Sequence, residues 1–372
     1  MIFHVLGLAH TQTSKAWLSC AYTQKVYKLC RMLTEAGHTV YHYGVEGSDP
    51  VCTENVQVAD DAWRRRTFPD NDDRTKQFSY DVTTPYEKAF AHRAAAEILK
   101  RRQGPGEFLL CAWGFGHKPV ADILGAEAIP VESGIGYDDT WAQFRVFEST
   151  AWMHYCYGLG RCNPGGPRTP DTKGSWYDTV IPNFFDPDDF EYRPEKGDYL
   201  LYLGRLVKYK GVELAAEVAL EAGERLVVAG QGLPTDEGME LKGDVEFVGY
   251  ADVEKRRELL AGAKALLCPT YYIEPFGGVA VEAAFSGTPV ICTDWGGFTE
   301  NVAQGLTGFR CRSFSEFVAA VKALRVISPE QCRRWAMHNY SCEAITPRYI
   351  EYFEFILRHG AVLPGADWYT RS

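Results

Sequence analysis

Residues 269–295, PTYYIEPFGGVAVEAAFSGTPVICTDW, constrain the fold of this chain more than any other stretch. They follow an apolar run, 265–268, that reads as a buried strand. Gly277 and Gly278 then open a helix over 278–286, which Gly287 and Pro289 end, and a second apolar run covers 289–292. Strand, glycine-rich turn, helix and strand form the βαβ unit of an open parallel sheet, whose ligands sit at the carboxyl ends of the strands. The helix carries one charge, Glu282, among small apolar side chains. An ionised glutamate in such a setting needs a polar partner or it neutralises. Glu274 lies just before the helix N-terminus, where free amides and the helix dipole favour an anion. Two readings follow: a loop acid plus a core acid paired to an arginine, or a ligand site built on two carboxylates.

The same alternation of strand, loop and helix runs through the chain. With 372 residues there is room for two domains, each with its own core. The first, over 1–182, begins with a strand at 2–6, a loop at 7–14 containing Gly7 and His10, a helix over 16–36 and a strand at 39–43. Its glycines do not make a dinucleotide fingerprint. Residues 60–84 read as an irregular excursion, too long for an ordinary connection. Trp63, Arg64, Arg65, Arg66, Phe68, Phe78 and Tyr80 mix rings and cations there, as a solvated loop or as an acceptor surface that stacks on rings and binds phosphate. A helix over 86–103, a strand at 107–112, a loop holding His117, and a strand at 129–132 follow. Tyr137 closes the next loop, and Asp138 and Asp139 precede a helix running to about residue 154. Residues 158–174 read as a Gly/Pro-rich loop.

The second domain spans 183–345. A strand at 199–203 leads into a loop with Arg205 and Lys210, then a helix to residue 222. A strand at 225–229 ends in Gly230 and Gly232, and one at 245–248 precedes Tyr250. Asp252 caps a helix reaching residue 263. Helices follow near 314–327 and 329–340, and Pro347 interrupts before an amphipathic stretch at 349–358. Arg205 offers a planar fork and Lys210 a point charge, a pair suited to a diphosphate. No Asp-x-Asp metal motif stands beside a strand end, so the sequence suggests neither metal nor cofactor.

Bulk properties narrow the classes. The start runs directly into apolar sequence without a basic leader, which reads as a first strand and not a signal peptide. No apolar run approaches the ~18 residues of a membrane span. Eleven scattered cysteines, an odd number, suggest reduced thiols and a cytoplasmic setting. A net charge of −10 opposes a duplex nucleic-acid partner.

Glu274 and Glu282 with Pro275-Phe276-Gly277-Gly278 between them and Gly287-Thr288-Pro289-Val290 after them resemble the signature of retaining glycosyltransferases of family four. The loop holding Arg205 and Lys210 resembles that family's phosphate loop, and residues 179–186 its interdomain segment. Similar compact enzymes occur in phages and large viruses. The resemblance covers roughly residues 179–343 and is architectural only before that. It implies the GT-B fold: two Rossmann-like parallel-sheet domains facing each other across a cleft, with a C-terminal helix, 346–372, packing back on the first.

It further implies a nucleotide-sugar donor, a UDP-sugar before a GDP- or ADP-sugar, used without a metal. The first glutamate would contact sugar hydroxyls and the second the ribose. Arg205, Lys210 and Glu274 become the catalytic set, with Gly7, Gly230, Gly232, Tyr250, Phe276, Gly277, Gly278 and Glu282 around the donor. Many family members carry a histidine after the strand corresponding to 129–132. This chain has none there, and His117, His10, Glu132 or Asp138 could take that role, His117 foremost. Acceptor contacts are assigned to His10, Trp63, Arg65, Tyr137 and Asp138. The acceptor is read as a glycan, lipid-linked or small-molecule hydroxyl. Hydroxymethylated bases in viral DNA, or a silent sugar-nucleotide-binding protein, are the alternatives.

Overall fold

The structure, a computed structural model, describes residues 1–17, 19–73, 75–76, 78–160 and 174–360. Most of the 158–174 loop, and the chain beyond 360, lie outside the described residues. Two parallel sheets organise the molecule. The first contains β1 (Ile2–Leu6), β2 (Thr39–Val45), β3 (Glu54–Ala59), β4 (Phe108–Cys111), β5 (Ile129–Ile135), β6 (Phe144–Phe147) and β7 (Asp178–Val180), in the order β3-β2-β1-β4-β5-β6-β7. The second contains β8 (Tyr199–Leu203), β9 (Arg225–Ala229), β10 (Val245–Gly249), β11 (Ala265–Cys268), β12 (Val290–Thr293) and β13 (Gly308–Cys311), in the order β10-β9-β8-β11-β12-β13.

Helices cover both faces of each sheet. In the first unit these are α1 (Ala21–Glu35), α2 (Asp61–Thr67), α3 (Pro85–Arg101), α4 (Lys118–Leu124) and α5 (Thr150–Gly158). In the second they are α6 (Val212–Ala222), α7 (Val253–Gly262), α8 (Gly278–Phe285), α9 (Phe298–Asn301), α10 (Phe314–Ala323) and α11 (Pro329–Tyr340), and α12 (Cys342–Phe355) then returns to the first. Side chains alternate along β1. Phe3 and Val5 face α1 and α12, whereas Leu6 faces the α3 side. Leu200 and Leu201 divide the second sheet in the same way, towards α6 and α10 on one face and α7 and α8 on the other.

Several expected elements differ. The first helix begins at Ala21, not residue 16, because Lys15–Trp17 form a separate 3₁₀ turn that buries Trp17. Residues 60–84 are not irregular throughout: Asp60 caps α2 by accepting from the Trp63 amide. Within the helix expected after Asp139, to about residue 154, lie a strand, β6, and then α5, which Ser149 caps through the Trp152 amide. Strands β3 and β13 were not expected. Pro347 does not interrupt α12. The missing amide costs the helix one bond, and burial of Ile345, Tyr349, Tyr352 and Phe353 against the first unit offsets it.

The chain crosses between the units twice, side by side. Phe185 donates its amide to the Tyr340 carbonyl and accepts from the Cys342 amide, both at 2.9 Å. This short pairing, with α12 behind it, joins the two units.

Candidate functional site

A cleft of about 690 Å³ lies between the units. Its second-unit wall is built from strand-end loops. The turn before α8 is held at three consecutive carbonyls. The Glu274 carbonyl accepts from the Gly297 amide at 2.7 Å, Pro275 from the Ser149 hydroxyl at 2.6 Å, and Phe276 from the Asn301 amide side chain. Gly277 takes φ +81°, a left-handed conformation that favours glycine. A Cβ there would run into the Phe298 ring. The turn therefore aims the first-turn amides of α8 and the Glu274 side chain into the cleft.

Lys210 reaches the same point from the β8 loop. Its Nζ lies 2.7 Å from Glu274 Oε2 and 2.7 Å from the Tyr272 hydroxyl. Arg205, in the same loop, is exposed on the cleft and makes no ion pair among the described residues. Gly230 lines the cleft because its backbone passes against the Gly204 carbonyl, where a Cβ would overlap it. Tyr250, Phe276 and Gly278 also line it. Glu282 does have the polar partner its apolar helix demanded: Arg256 of α7 donates from Nε at 2.6 Å. Both members of that pair line the cleft, so the arginine partner and the site location occur together.

The first-unit wall departs from expectation. His117 is 2% exposed and does not line the cleft. Its Nδ1 accepts from the Ala112 amide and its Nε2 donates to the Gly7 carbonyl, each at 3.1 Å. Burial lowers its pKa to about 3, so it stays neutral. His117 ties β1 to β4, and the expected catalytic role does not fit its position. Gly7 is consumed by the same contact, and His42 and Thr13 occupy the space beside it. It does not face the cleft, and neither does Gly232.

Four acceptor assignments also fall away from the cleft. Trp63 packs edge-on against Tyr86. Arg65 pairs with Asp61 and Asp72 on the outside of α2. Tyr137 turns inward and donates to Glu132 at 2.9 Å. Asp138, in the following turn, is likewise not on the lining. Glu132 is fully buried, accepts from the Trp141 and Ala142 amides, and is pushed up to about 7 by burial.

His10 does line the cleft. It is surrounded by rings, with Trp113 at 4.8 Å, Tyr80 at 5.9 Å and Phe68 at 6.3 Å between centroids. Tyr22 extends the cage, 5.2 Å from Trp113. Sequence reasoning missed Tyr22, Trp113 and the buried pair Lys25–Glu148, which also line this wall. Lys25 donates to the Gly134 carbonyl at 2.7 Å, and burial holds its pKa well below the usual lysine range. Its position on the inner face of α1 was the only sequence signal. Arg205 lies close enough across the cleft to oppose the burial-driven rise of the Tyr22 phenol. Among the described residues no group of three or more His, Cys, Asp or Glu is arranged to hold a metal ion. No helix among them is long and apolar enough to cross a membrane.

Residues 185–340 match the family described as Glycosyl transferases group 1. Glycogen synthase of Mycobacterium tuberculosis is 37% identical over 163 residues, 39% of this chain and 39% of that protein. Glycogen synthase of Pseudomonas aeruginosa is 30% identical over 191 residues, 46% of this chain and 37% of its own length. The chain thus spans about two fifths of the length of these relatives. Among solved structures, AviGT4, a glycosyltransferase involved in avilamycin A biosynthesis, superposes with a TM-score of 0.66 at 21% identity, covering 96% of this chain and 98% of its own. Sucrose-phosphate synthase of Thermosynechococcus elongatus gives 0.64 at 16% identity, covering 96% and 99%. Anabaena HepE in complex with UDP-glucose gives 0.63 at 14%, covering 95% and 100%. The fold is therefore GT-B, as the sequence implied.

Proposed function

We propose that this chain is a retaining glycosyltransferase that moves a sugar from a nucleoside-diphosphate donor to a hydroxyl acceptor. The observation that carries the reading is the meeting of Lys210 and Glu274 before the N-terminus of α8, with Arg205 lining the same interdomain cleft. Breaking a glycosidic bond to a diphosphate leaves negative charge on the phosphate oxygens. Fixed donors aimed at that growing charge lower the barrier. Arg205 and Lys210 supply cations, and the first-turn amides of α8 add neutral donors. In this reading no metal is required. Glu274 orients the sugar hydroxyls, and Glu282, held by Arg256, meets the ribose. UDP is the favoured nucleotide, supported by the similarity to a protein solved with UDP-glucose.

No side chain on the lining is assigned as a covalent sugar nucleophile. Retention then comes from attack on the face the diphosphate leaves, with a phosphate oxygen taking the acceptor's proton. The hinge at Phe185 and Ser341 lets the walls close, which keeps water from competing for the activated sugar.

Glycosylation of viral DNA finds little support in the geometry, since of the three arginines that suggested it only Arg66 is exposed without an ion pair among the described residues. Of the arginines that suggested it, Arg64 is fully buried between Asp61 and Asp72, and Arg65 is paired. A cytoplasmic location fits the use of nucleotide sugars and remains part of the proposal.

The test is acceptor-free hydrolysis of UDP-, GDP- and ADP-sugars by the purified chain, with and without EDTA. Release of UDP that survives EDTA is expected. No release from any donor, together with no nucleotide binding, would overturn the transferase reading.

A further inference from the structure

Resting on the transferase reading, we propose that the first-unit end of the cleft is a subsite for an uncharged, hydroxyl-bearing ring, and that it selects such acceptors over phosphorylated ones. His10 is 1% exposed, and its Nδ1 has no hydrogen-bond partner among the described residues. Nδ1 is sealed from solvent. A buried polar group left unpaired is costly, so a ligand that pairs with it gains affinity. Burial, helped by His117 and Arg64, holds His10 neutral, with a pKa of about 3. A neutral imidazole presents one donor and one acceptor, which is what a hydroxyl can match. Around it stand Trp113, Tyr80 and Tyr22, with Tyr80 edge-on to Trp113 at 4.9 Å. An aromatic lining with one placed polar group suits an uncharged ring.

The charges at this end are already matched. Lys25 is paired with Glu148, and Lys15 with Asp189 at 2.8 Å. Arg64, behind His10, is held by Asp61 and Asp72. Lys28 makes no ion pair among the described residues, but it lies over the Phe185 ring at 4.2 Å, beside the hinge. Its ammonium stands over Phe185 and Phe184, rings that take no part in the His10 cage. Arg205, in the donor reading, is committed to the diphosphate. A phosphate in the His10 cage would lose its water without gaining a free cation.

The experiment measures kcat/KM for transfer from a UDP-sugar to matched acceptors. Methyl α-glucoside, methyl α-mannoside and 5-hydroxymethyl-2′-deoxycytidine are compared with the 6-phosphates of the same two methyl glycosides and the 5′-phosphate of the nucleoside. The uncharged member of any accepted pair is expected to win by at least about tenfold, roughly the worth of one lost charge-assisted contact. The sugar and nucleoside arms show which ring is used. His10→Phe should raise acceptor KM by about tenfold or more with UDP affinity within about twofold, and Tyr80→Ala, at an exposed position, should move KM the same way. Preference for the phosphorylated members, refusal of every uncharged ring, or variants that keep the parental KM would overturn the proposal. Donor hydrolysis in the same preparations separates the two readings. Its absence sinks the transferase assignment, whereas its presence with uncharged rings refused sinks only the acceptor class.

Discussion

Lys210 and Glu274 meet at 2.7 Å across the mouth of α8, their side chains 19% and 14% exposed. Lys210 also donates to the Tyr272 hydroxyl, so its ammonium is fixed before any ligand arrives. Such preorganisation is what a phosphate-binding cation needs. Glu274 has a separate task in the proposed mechanism, with the sugar and not the diphosphate. Glu274→Gln should therefore lower turnover by at least about tenfold while UDP affinity stays within about threefold. Parallel loss of both quantities would mean that the carboxylate acts only by holding Lys210.

His117 predicts a stability effect. His117→Ala leaves the Ala112 amide and the Gly7 carbonyl unpaired inside the protein. About 1–3 kcal/mol per group is expected, seen as a lower Tm at neutral pH. The sign with pH follows from its lowered pKa. The unfolded chain takes up a proton near pH 6.5, whereas the folded one resists until about 3. The neutral form's contribution is fully present above pH 6.5 and is lost as pH falls towards 3. The wild-type advantage over His117→Ala should narrow over that range, by up to about 1.4 kcal/mol per pH unit. Glu87 and Glu132, pushed up to about 7, slope the opposite way between about 4.5 and 7, but they are common to both proteins and cancel in the difference. Urea melts at pH 7.5 and pH 5 with an unchanged gap would contradict this.

Glu300 predicts a closure effect. From α9 it accepts the first two amides of α5, Thr150 and Ala151, both at 3.0 Å and both from the opposite unit. A carboxylate at a helix N-terminus is stabilised by the dipole as well as by the bonds. Glu300→Gln removes the charge, and the closed arrangement should weaken. Small-angle scattering of the UDP-bound protein should give a larger radius of gyration, with kcat reduced and UDP affinity changed less than about threefold. Identical scattering and kcat would show that this contact does not govern closure.

Arg65 predicts a null result. It is 61% exposed and tied to Asp61 and Asp72 away from the cleft. Surface pairs of this kind contribute little to stability, because solvent screens them. Arg65→Ala should leave transfer and nucleotide affinity within about twofold, and a larger loss of transfer alone would restore this surface to the acceptor site.

The second unit was more legible than the first for physical reasons. Strands β8, β9 and β11 are buried on both faces and read as continuous apolar runs, and the carboxylate spacing around α8 marked the site directly. Strand β6 was hidden because its second residue is Arg145, a charge that argues against a central strand until Asp178 on β7 is seen to pair with it at 2.7 Å. Strand β3 sits at the sheet edge with exposed polar positions, and β13, at an edge of the second sheet, opens on Gly308 and carries Arg310. His10 and His117 each stand in a loop after a strand. Which one turns inward to the backbone and which faces the cleft depends on neighbours distant in sequence: Gly7 for His117, Trp113 and Phe68 for His10. The partner of Glu282 was predictable in kind but not in identity, since Arg256 lies 26 residues upstream on another helix.

The claim on which the rest depends is that the α8 mouth binds a nucleoside diphosphate through Lys210. Titration calorimetry of UDP into the intact chain and into Lys210→Ala, each with EDTA present, tests it directly. The account predicts saturable binding to the intact chain and at least about tenfold weaker binding to a variant whose Tm shows it folded, since one charge-assisted bond contributes roughly 1.5–3 kcal/mol. Equal affinity in the two proteins, or no heat with UDP, GDP or ADP, would contradict it.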